Sequence, residues 1–429
     1  MKTNDKTFDG VWWVPSDPDK RYYGTLKLDN SFELHLIDGE YSIESLIQAK
    51  GVDSDIIVGQ SLGKSITLLG CRNVGVQSST AGIAQHYKVH VSSALLGDHF
   101  ESEDKAKFNL IEFQCNNLNA WCARFPIAQT HNRADHLLTY KWPETLSATL
   151  PGGTVDLANH LMTSDSNYSK ITWESRETLK ITLKRPQSLS DIGFKYIGPL
   201  RQFLTLASGT HTTTTSLRVA NSRKLSYSKH PIWSEVQHYG GKQALPDPEE
   251  LSSLDMRFTL IYPEMDFGKI IPKWMRLHKQ LKPDLDLLFS LNSPSGGYTW
   301  NSLFNVASAT EGMHRRLYPR SPERMTFRNR LLQLLGYASP LITEFVGDKD
   351  KWATIIKNQR NEVGHSLGKY PISGEELLRL TQTTQLLLHI VILRKLGFTK
   401  KQCKQVVMRD NEWAFLKTAM PKTFPDLFV

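Results

Sequence analysis

A single change in apolar periodicity, near residue 263, divides this chain into two kinds of structure. Before it come short runs rich in aromatic and aliphatic residues: Phe8 to Val14, Tyr22 to Leu28, Phe32 to Ile37, Ile56 to Val58, Ile66 to Leu69, Tyr87 to Val91 and Phe108 to Phe113. Ser16-Asp-Pro-Asp19 and Asp29-Asn30 supply turn punctuation between the first of them, so the runs read as strands and hairpins. Leu179 to Leu183 alternates as a strand does, and the first half holds one clear helical pattern, over 190–207, with Ile192, Tyr196, Leu200, Phe203 and Leu204 at helical spacing. A Pro- and acid-rich stretch from Leu245 to Leu251 and a strand-like Phe258 to Tyr262 lead into Pro263. After that point apolar residues recur every three or four positions in Lys269 to Leu281, Asp284 to Leu291, Trp300 to Leu317, Arg324 to Leu335 and Lys349 to Val363. Ser373 and Glu376 have capping-box spacing at the head of a further helix that ends near Leu396, before Gly397. The expectation is an α+β protein, with a β-rich domain over 1–262 and an all-α helical bundle over 263–429.

Charge divides at the same place. From Pro263 onward there are 25 Lys+Arg against 15 Asp+Glu, and before it 27 against 28, so the helical part carries all of the +9 excess. A one-sided basic surface suits a polyanion, either nucleic acid or an anionic membrane, and an ordinary solvated basic face accounts for it equally well. The longest apolar run, Leu386 to Leu393, falls far short of the ~20 residues of a membrane-spanning helix. Met1 to Thr7 has no apolar stretch of the signal-peptide kind. Cys71, Cys115, Cys122 and Cys403 are too scattered for a disulfide framework, which suits a reducing compartment. A cytoplasmic protein without a membrane attachment is expected.

Several motifs fail on their surroundings. Gly59-Gln-Ser61-Leu-Gly63 has nucleophile-elbow spacing, but Ile66 to Leu69 follows it as a strand where a helix is required, so a hairpin turn explains the glycines better. Gly63-Lys64-Ser65 resembles the tail of a phosphate loop, yet Val58 stands where its first glycine belongs. Cys115, Cys122, His131 and His136 lack zinc-knuckle spacing and read as buried thiols and loop histidines. Of Trp12-Trp13 and Tyr22-Tyr23, strand alternation sends one member of each pair to the core and the other outward. His389, inside an apolar helix, reads as a hydrogen-bonded core residue.

Arg360-Asn361-Glu-Val-Gly364-His365 carries the chemistry that remains. RxxxxH is a weak pattern: a chain of this composition is expected to show about 0.7 chance matches, and this one has a single match. Five residues along an uninterrupted helix turn the second position about 140° from the first. Gly364 is expected to end the helix and let His365 return toward Arg360. That would set a base titrating near neutrality beside a phosphate-binding fork, a combination suited to RNA cleavage. A helix-terminal arginine followed by a capping histidine is the plainer account.

Arg360-Asn361 with His365 resembles the Rx4–6H motif of HEPN ribonucleases, and the wider chain resembles the ApeA-like bacterial anti-phage proteins. The second resemblance rests on Gly10-Val-Trp12-Trp13-Val-Pro15, Gly24-Thr-Leu26, Leu96-Gly-Asp-His99-Phe100, Asn117-Leu-Asn-Ala-Trp121, Lys273-Trp274 and Ala309-Thr-Glu311-Gly-Met-His314-Arg315-Arg316. It implies a β-rich N-terminal domain that senses or restrains, with a phage-derived trigger, and a HEPN nuclease that forms a homodimer with the two motifs facing each other. The reaction it implies is endoribonuclease cleavage of cellular RNA, tRNA or another structured RNA, in abortive infection. No metal or other cofactor is implied: the 2′-oxygen attacks its own phosphodiester and leaves a 2′,3′-cyclic phosphate. In that scheme Arg360 binds the scissile phosphate, His365 transfers the proton and Asn361 orients them. Glu311 positions Arg360, although an i,i+4 pair with Arg315 explains it nearly as well. Arg315, Arg316 and Lys369 are the expected RNA-phosphate contacts. The competing reading is a catalytically silent HEPN dimer acting as a ligand-binding or regulatory module.

Overall fold

The computed structural model of the 429-residue chain describes residues 6–28, 32–38, 55–78, 85–131, 136–164, 171–238, 250–292, 299–322, 324–365 and 372–429. The N-terminal half contains β1 (Lys6–Val14), β2 (Asp17–Leu28), β3 (Glu33–Asp38), β4 (Ile56–Ser61), β5 (Lys64–Leu69), β6 (Arg72–Ser78), β7 (Gln85–His90), β8 (Ser93–Leu96) and β9 (Lys107–Cys115). A short helix α1 (Leu118–Cys122) and a separate hairpin of β10 (Ile127–His131) and β11 (His136–Tyr140) follow. Then come β12 (Leu146–Leu150), β13 (Gly153–Thr163), β14 (Trp173–Ser188), α2 (Leu189–Ile192), a π-helical turn (Gly193–Ile197), α3 (Gly198–Ser208), β15 (Thr214–Leu225) and β16 (Pro231–His238). Fourteen strands make one antiparallel sheet in the order β12-β13-β14-β9-β15-β16-β8-β5-β4-β1-β2-β3-β7-β6.

Successive strand residues point to opposite faces, and at β8 both faces are covered. Ala94 and Leu96 join a small core with Trp12, Leu26, Leu34 and Val89, while Leu95 joins the main core with Phe108, Ile111 and Phe113. The aromatic pairs behave as alternation requires: Trp12 is fully buried and lies across from buried Tyr22, whereas Tyr23 is exposed. Trp13, on the other face from Trp12, stacks under Arg21 at 3.7 Å. Gly59 is needed there, because a Cβ would overlap the Trp12 ring, 2.6 Å from Cδ2. Ser61 ends β4 at a tight hairpin, with Leu62 and Gly63 at φ 45° and 77°, and its hydroxyl donates to the Asp9 carbonyl at 2.7 Å. It is a sheet residue and not a nucleophile on an elbow.

The helical half comprises α4 (Phe267–Ser290), α5 (Thr299–Leu317), α6 (Phe327–Ala338), α7 (Thr343–Val346), α8 (Lys349–His365), α9 (Gly374–Leu396), α10 (Lys400–Arg409) and α11 (Asn411–Thr423). Both halves of the expected capping box are present at Ser373 and Glu376, and Gly397 closes α9 at φ 102°. Four expectations need correction. The segments expected as separate helices on either side of Pro283 are one helix, α4, because the buried row Trp274, Leu277, Leu281, Leu285 and Leu288 outweighs the hydrogen bond lost at the proline. The helix expected over 190–207 slips into π geometry: Gly198 N–H bonds the Gly193 carbonyl, and Pro199, without an N–H, cannot resume the ladder at once. Phe258 to Tyr262 forms no strand, only a bridge from Ile261 to Glu264. Its alternation comes from Met256, Phe258 and Leu260 entering the main core. Gly364 does not stop α8, which continues to His365, since a helical glycine costs only about 1 kcal/mol relative to alanine. The stretch from Leu245 to Leu251 lies mostly outside the described residues.

The two halves share the main core. Trp274 of α4 donates to the Pro199 carbonyl at 2.7 Å, and His278 meets Gln202 at 2.9 Å. Arg257, in the connecting segment, pairs with Asp410 and lies 3.8 Å from the Trp413 ring centre. His389 is fully buried, its Nδ1 donating to the Gln385 carbonyl at 2.8 Å and its Nε2 accepting from Arg257 at 3.4 Å. No helix among the described residues is long and apolar enough to cross a membrane.

Candidate active site

Arg360 sits on α8 with two helical neighbours converging on it. Its Nη2 donates to Glu311 Oε2 of α5 at 3.1 Å, and its guanidinium lies 5.5 Å from the ring centre of Phe327, the first residue of α6. About a third of the side chain remains open to solvent, so the fork is held on one side and available on the other. Asn361 Oδ1 accepts a long hydrogen bond from Arg360 Nη1 at 3.4 Å. Asn361 thus touches the arginine whose orientation it was expected to set.

Glu311 bridges two arginines: Oε2 takes Arg360 and Oε1 takes Arg315 at 2.8 Å. Its two oxygens contact the two arginines separately, so the bond to Arg360 and the i,i+4 pair with Arg315 coexist. Burial pushes the Glu311 carboxyl up, but the Arg315 hydrogen bond and the charges of Arg360, Arg315 and Arg330 prevail and hold it below the usual carboxylate range. It is therefore an ionised, acceptor-only anchor at neutral pH.

One turn further along α5, buried His314 is fixed by its neighbours. Its Nε2–H donates to Gln333 Oε1 at 2.7 Å, and Nδ1 accepts from Arg330 Nη1 at 3.2 Å, which specifies the neutral tautomer. Burial first, then the charges of Arg330 and Arg315, depress its pKa despite the Gln333 bond. His314 stiffens α5 against α6, and its lowered basicity suits it to support rather than proton transfer.

The expected phosphate contacts are placed unequally. Arg315 is half-exposed and engaged by Glu311. Arg316 Nη1 donates to both oxygens of buried Asp284, at 2.9 and 3.0 Å, and so braces α5 against α4. Lys369 lies outside the described residues. His365 is the last residue of α8, and in a continuous helix its position is about 140° around the axis from Arg360. The structure thus brings Arg360, Asn361, Glu311 and Arg315 together on one surface and places the His365 backbone on another side of the same helix. Phe327 and Arg330 escaped sequence reasoning: an aromatic and an arginine in an ordinary amphipathic helix carry no local mark of a distant partner on α8 or α5.

Among the described residues, no three His, Cys, Asp or Glu side chains cluster in a way that could hold a metal ion. Cys115 and Cys122, once considered as ligands, are buried thiols, with Cys115 pushed up to about 12 by burial. His131 and His136, expected in a loop, are instead backbone register partners at the closed end of the β10–β11 hairpin.

Comparison with family models gives two matches. ApeA N-terminal domain 1 matches residues 7–274, and Apea-like HEPN matches residues 304–402, a span that includes Glu311, Arg360 and His365. Neither the curated proteins nor the solved structures contain a match.

Proposed function

The chain belongs to the ApeA family, with a C-terminal Apea-like HEPN domain, and we propose that it is an endoribonuclease of anti-phage defence acting through Arg360 and His365. Family membership suggests a defence nuclease; the reaction and its residues are our reading. The observation that carries it is the Glu311–Arg360 bond, which holds a half-open guanidinium fork five residues ahead of His365.

In this reading Arg360 binds the non-bridging oxygens of the scissile phosphate, where its permanent charge offsets the charge developing on the pentavalent phosphorus. His365 takes the proton from the 2′-hydroxyl, and the 2′-oxygen attacks phosphorus. The bond to the 5′-oxygen breaks, that oxygen takes a proton, and the products are a 2′,3′-cyclic phosphate and a 5′-hydroxyl. No metal is required by the scheme. Because α8 is continuous through His365, the two motif positions diverge within one copy. That divergence supports a homodimer in which each arginine works opposite the partner copy's motif, with one histidine as base and the other as acid. Residues 1–262 are assigned to sensing and restraint and 263–429 to cleavage, with cellular RNA, tRNA included, as substrate and a phage-derived signal as trigger. Cytoplasmic action follows from that substrate.

Incubation of the full-length protein with total RNA tests the reading. Cleavage that persists in excess EDTA and disappears in His365→Ala is expected. A folded wild-type protein that leaves all RNA intact with its trigger present would favour the silent dimer. Light scattering should show a dimer of the intact chain.

A further inference from the structure

We propose that the outer face of α10, with Tyr262 and Arg409, is a binding surface for single-stranded RNA, separate from the cleavage site. This rests on the RNA reading above and gives the substrate a landing place that Arg315 and Arg316, engaged by Glu311 and Asp284, do not provide.

Helix α10 divides cleanly into two faces. Cys403, Val406 and Val407 are buried, whereas Lys401, Lys404, Gln405 and Met408, at i, i+3, i+4 and i+7, form one outward row. With Tyr262 and Arg409 that row lines an open cleft of about 390 Å³. Three cationic side chains, Lys401, Lys404 and Arg409, line the cleft. Among the described residues Lys401 and Lys404 form no ion pair, and both are exposed. Of the carboxylates around it, Asp410 is paired with Arg257, and Glu344, which feels the charge of Lys404, is paired with Lys417, while Asp255 accepts from the Ser252 amide at 3.2 Å and hydroxyl at 2.6 Å. Arg409 donates to the carbonyls of Ser253 and Leu254, the latter at 3.3 Å, so its position is fixed while its charge is kept.

Tyr262 adds a stacking surface. The residue is 41% exposed, Arg409 lies over one face of its ring at 5.0 Å from the centre, which leaves the other face for a base, and its backbone N–H and carbonyl are both tied to Thr259, at 3.0 and 2.8 Å. A held aromatic beside two unpaired lysines is the arrangement that receives a base on the ring and phosphates on the ammonium groups. An anionic membrane would also meet the lysines, but interfacial helices insert an apolar face, and here that face is packed into the protein.

The test uses full-length His365→Ala protein, which binds without cutting, and a fluorescent single-stranded RNA titrated over a salt series. Each phosphate contact to a single strand contributes about 0.7 to the slope of log affinity against log salt, so Lys401→Ala/Lys404→Ala should flatten that slope by about 1.4. Tyr262→Ala should weaken binding about fivefold or more and leave the slope unchanged. Unchanged slope and affinity in the double variant overturn the surface, and so does loss of anionic-vesicle binding with RNA binding intact. If the wild-type protein cuts RNA while the double variant binds normally, only this inference fails. If no RNA is bound or cut, it falls with the reading on which it rests.

Discussion

Replacing Gly312 with alanine separates two opposed effects at the helix that presents Glu311. In an exposed helix the change is favourable by about 1 kcal/mol, because alanine loses less backbone entropy. Gly312 is not in that situation. A Cβ there would overlap Asp284 Oδ1, lie 3.0 Å from Asp284 Cγ and reach within 2.9 Å of Arg316 Nη1. Asp284 is only 3% exposed, so its carboxylate cannot leave the contact and remain solvated. Arg316 is 38% exposed, so displacing this half-buried pair costs less than the ~3–5 kcal/mol of a fully buried one, and after the propensity gain the variant should lose about 1–2 kcal/mol. Gly336, in α6, has nothing within 4 Å of its would-be Cβ and supplies the control. Urea unfolding of the full-length protein should place Gly312→Ala below the wild type and Gly336→Ala slightly above it. A Gly312→Ala protein stabilised to the same extent as Gly336→Ala would show that the α4–α5 approach is not as close as described.

Between pH 6.5 and 5 the fold should weaken as pH falls. His389 is pushed down to about 3 by burial and Arg257, and His278 to about 4 mainly by burial. Their unfolded forms take up protons below about 6.5, so each contributes stability that is lost at about 1.4 kcal/mol per pH unit. Asp284, raised to about 6 by burial against the pull of Arg316, protonates first in the folded state and offsets one of them below that pH. These three groups together give a loss near pH 5 of about 1.4 kcal/mol per unit, and His314, His160 and His211, also lowered by burial, add to it. Denaturant midpoints at pH 7, 6 and 5 check this, and a flat profile is inconsistent with it. Arg257→Ala leaves the largely enclosed Asp410 with only its bond from the Trp413 amide and should cost about 3 kcal/mol, read by the same unfolding; a change under about 1 kcal/mol would mean that the connecting segment is not a structural tie. Glu311→Gln keeps the shape but loses the charge that anchors Arg360, and initial cleavage rates should drop about 10–100-fold. A rate equal to wild type would assign Glu311 to Arg315 alone.

Local chemistry was legible in the sequence, and partnership across distance was not. The capping box at Ser373 and Glu376, the hairpin at Ser61 to Gly63 and the division of Trp12-Trp13 between two sheet faces all follow from spacing within a few residues. Glycine and proline misled where packing outweighed them. Pro283 and Gly364 lie inside continuous helices, and no window of sequence measures the core that holds those helices together. The joining of fourteen strands into one sheet depends on pairings such as β8 with β16, well over a hundred residues apart. At the site, Glu311 and Arg360 were visible as candidates, while the capture of Arg316 by Asp284 was not, because an arginine's partner is set by which helix packs against it.

The most direct test of RNA cleavage by 2′-oxygen attack is end analysis of the products from a defined RNA and from its counterpart with a single 2′-deoxy substitution at the cut site. Wild-type protein in EDTA should yield a 2′,3′-cyclic phosphate and a 5′-hydroxyl from the first and nothing from the second. His365→Ala should yield neither, since proton transfer is worth about 10²–10⁴-fold. Cleavage at the 2′-deoxy position, or undiminished cutting by His365→Ala, would contradict the assignment of Arg360 and His365 as the reacting pair.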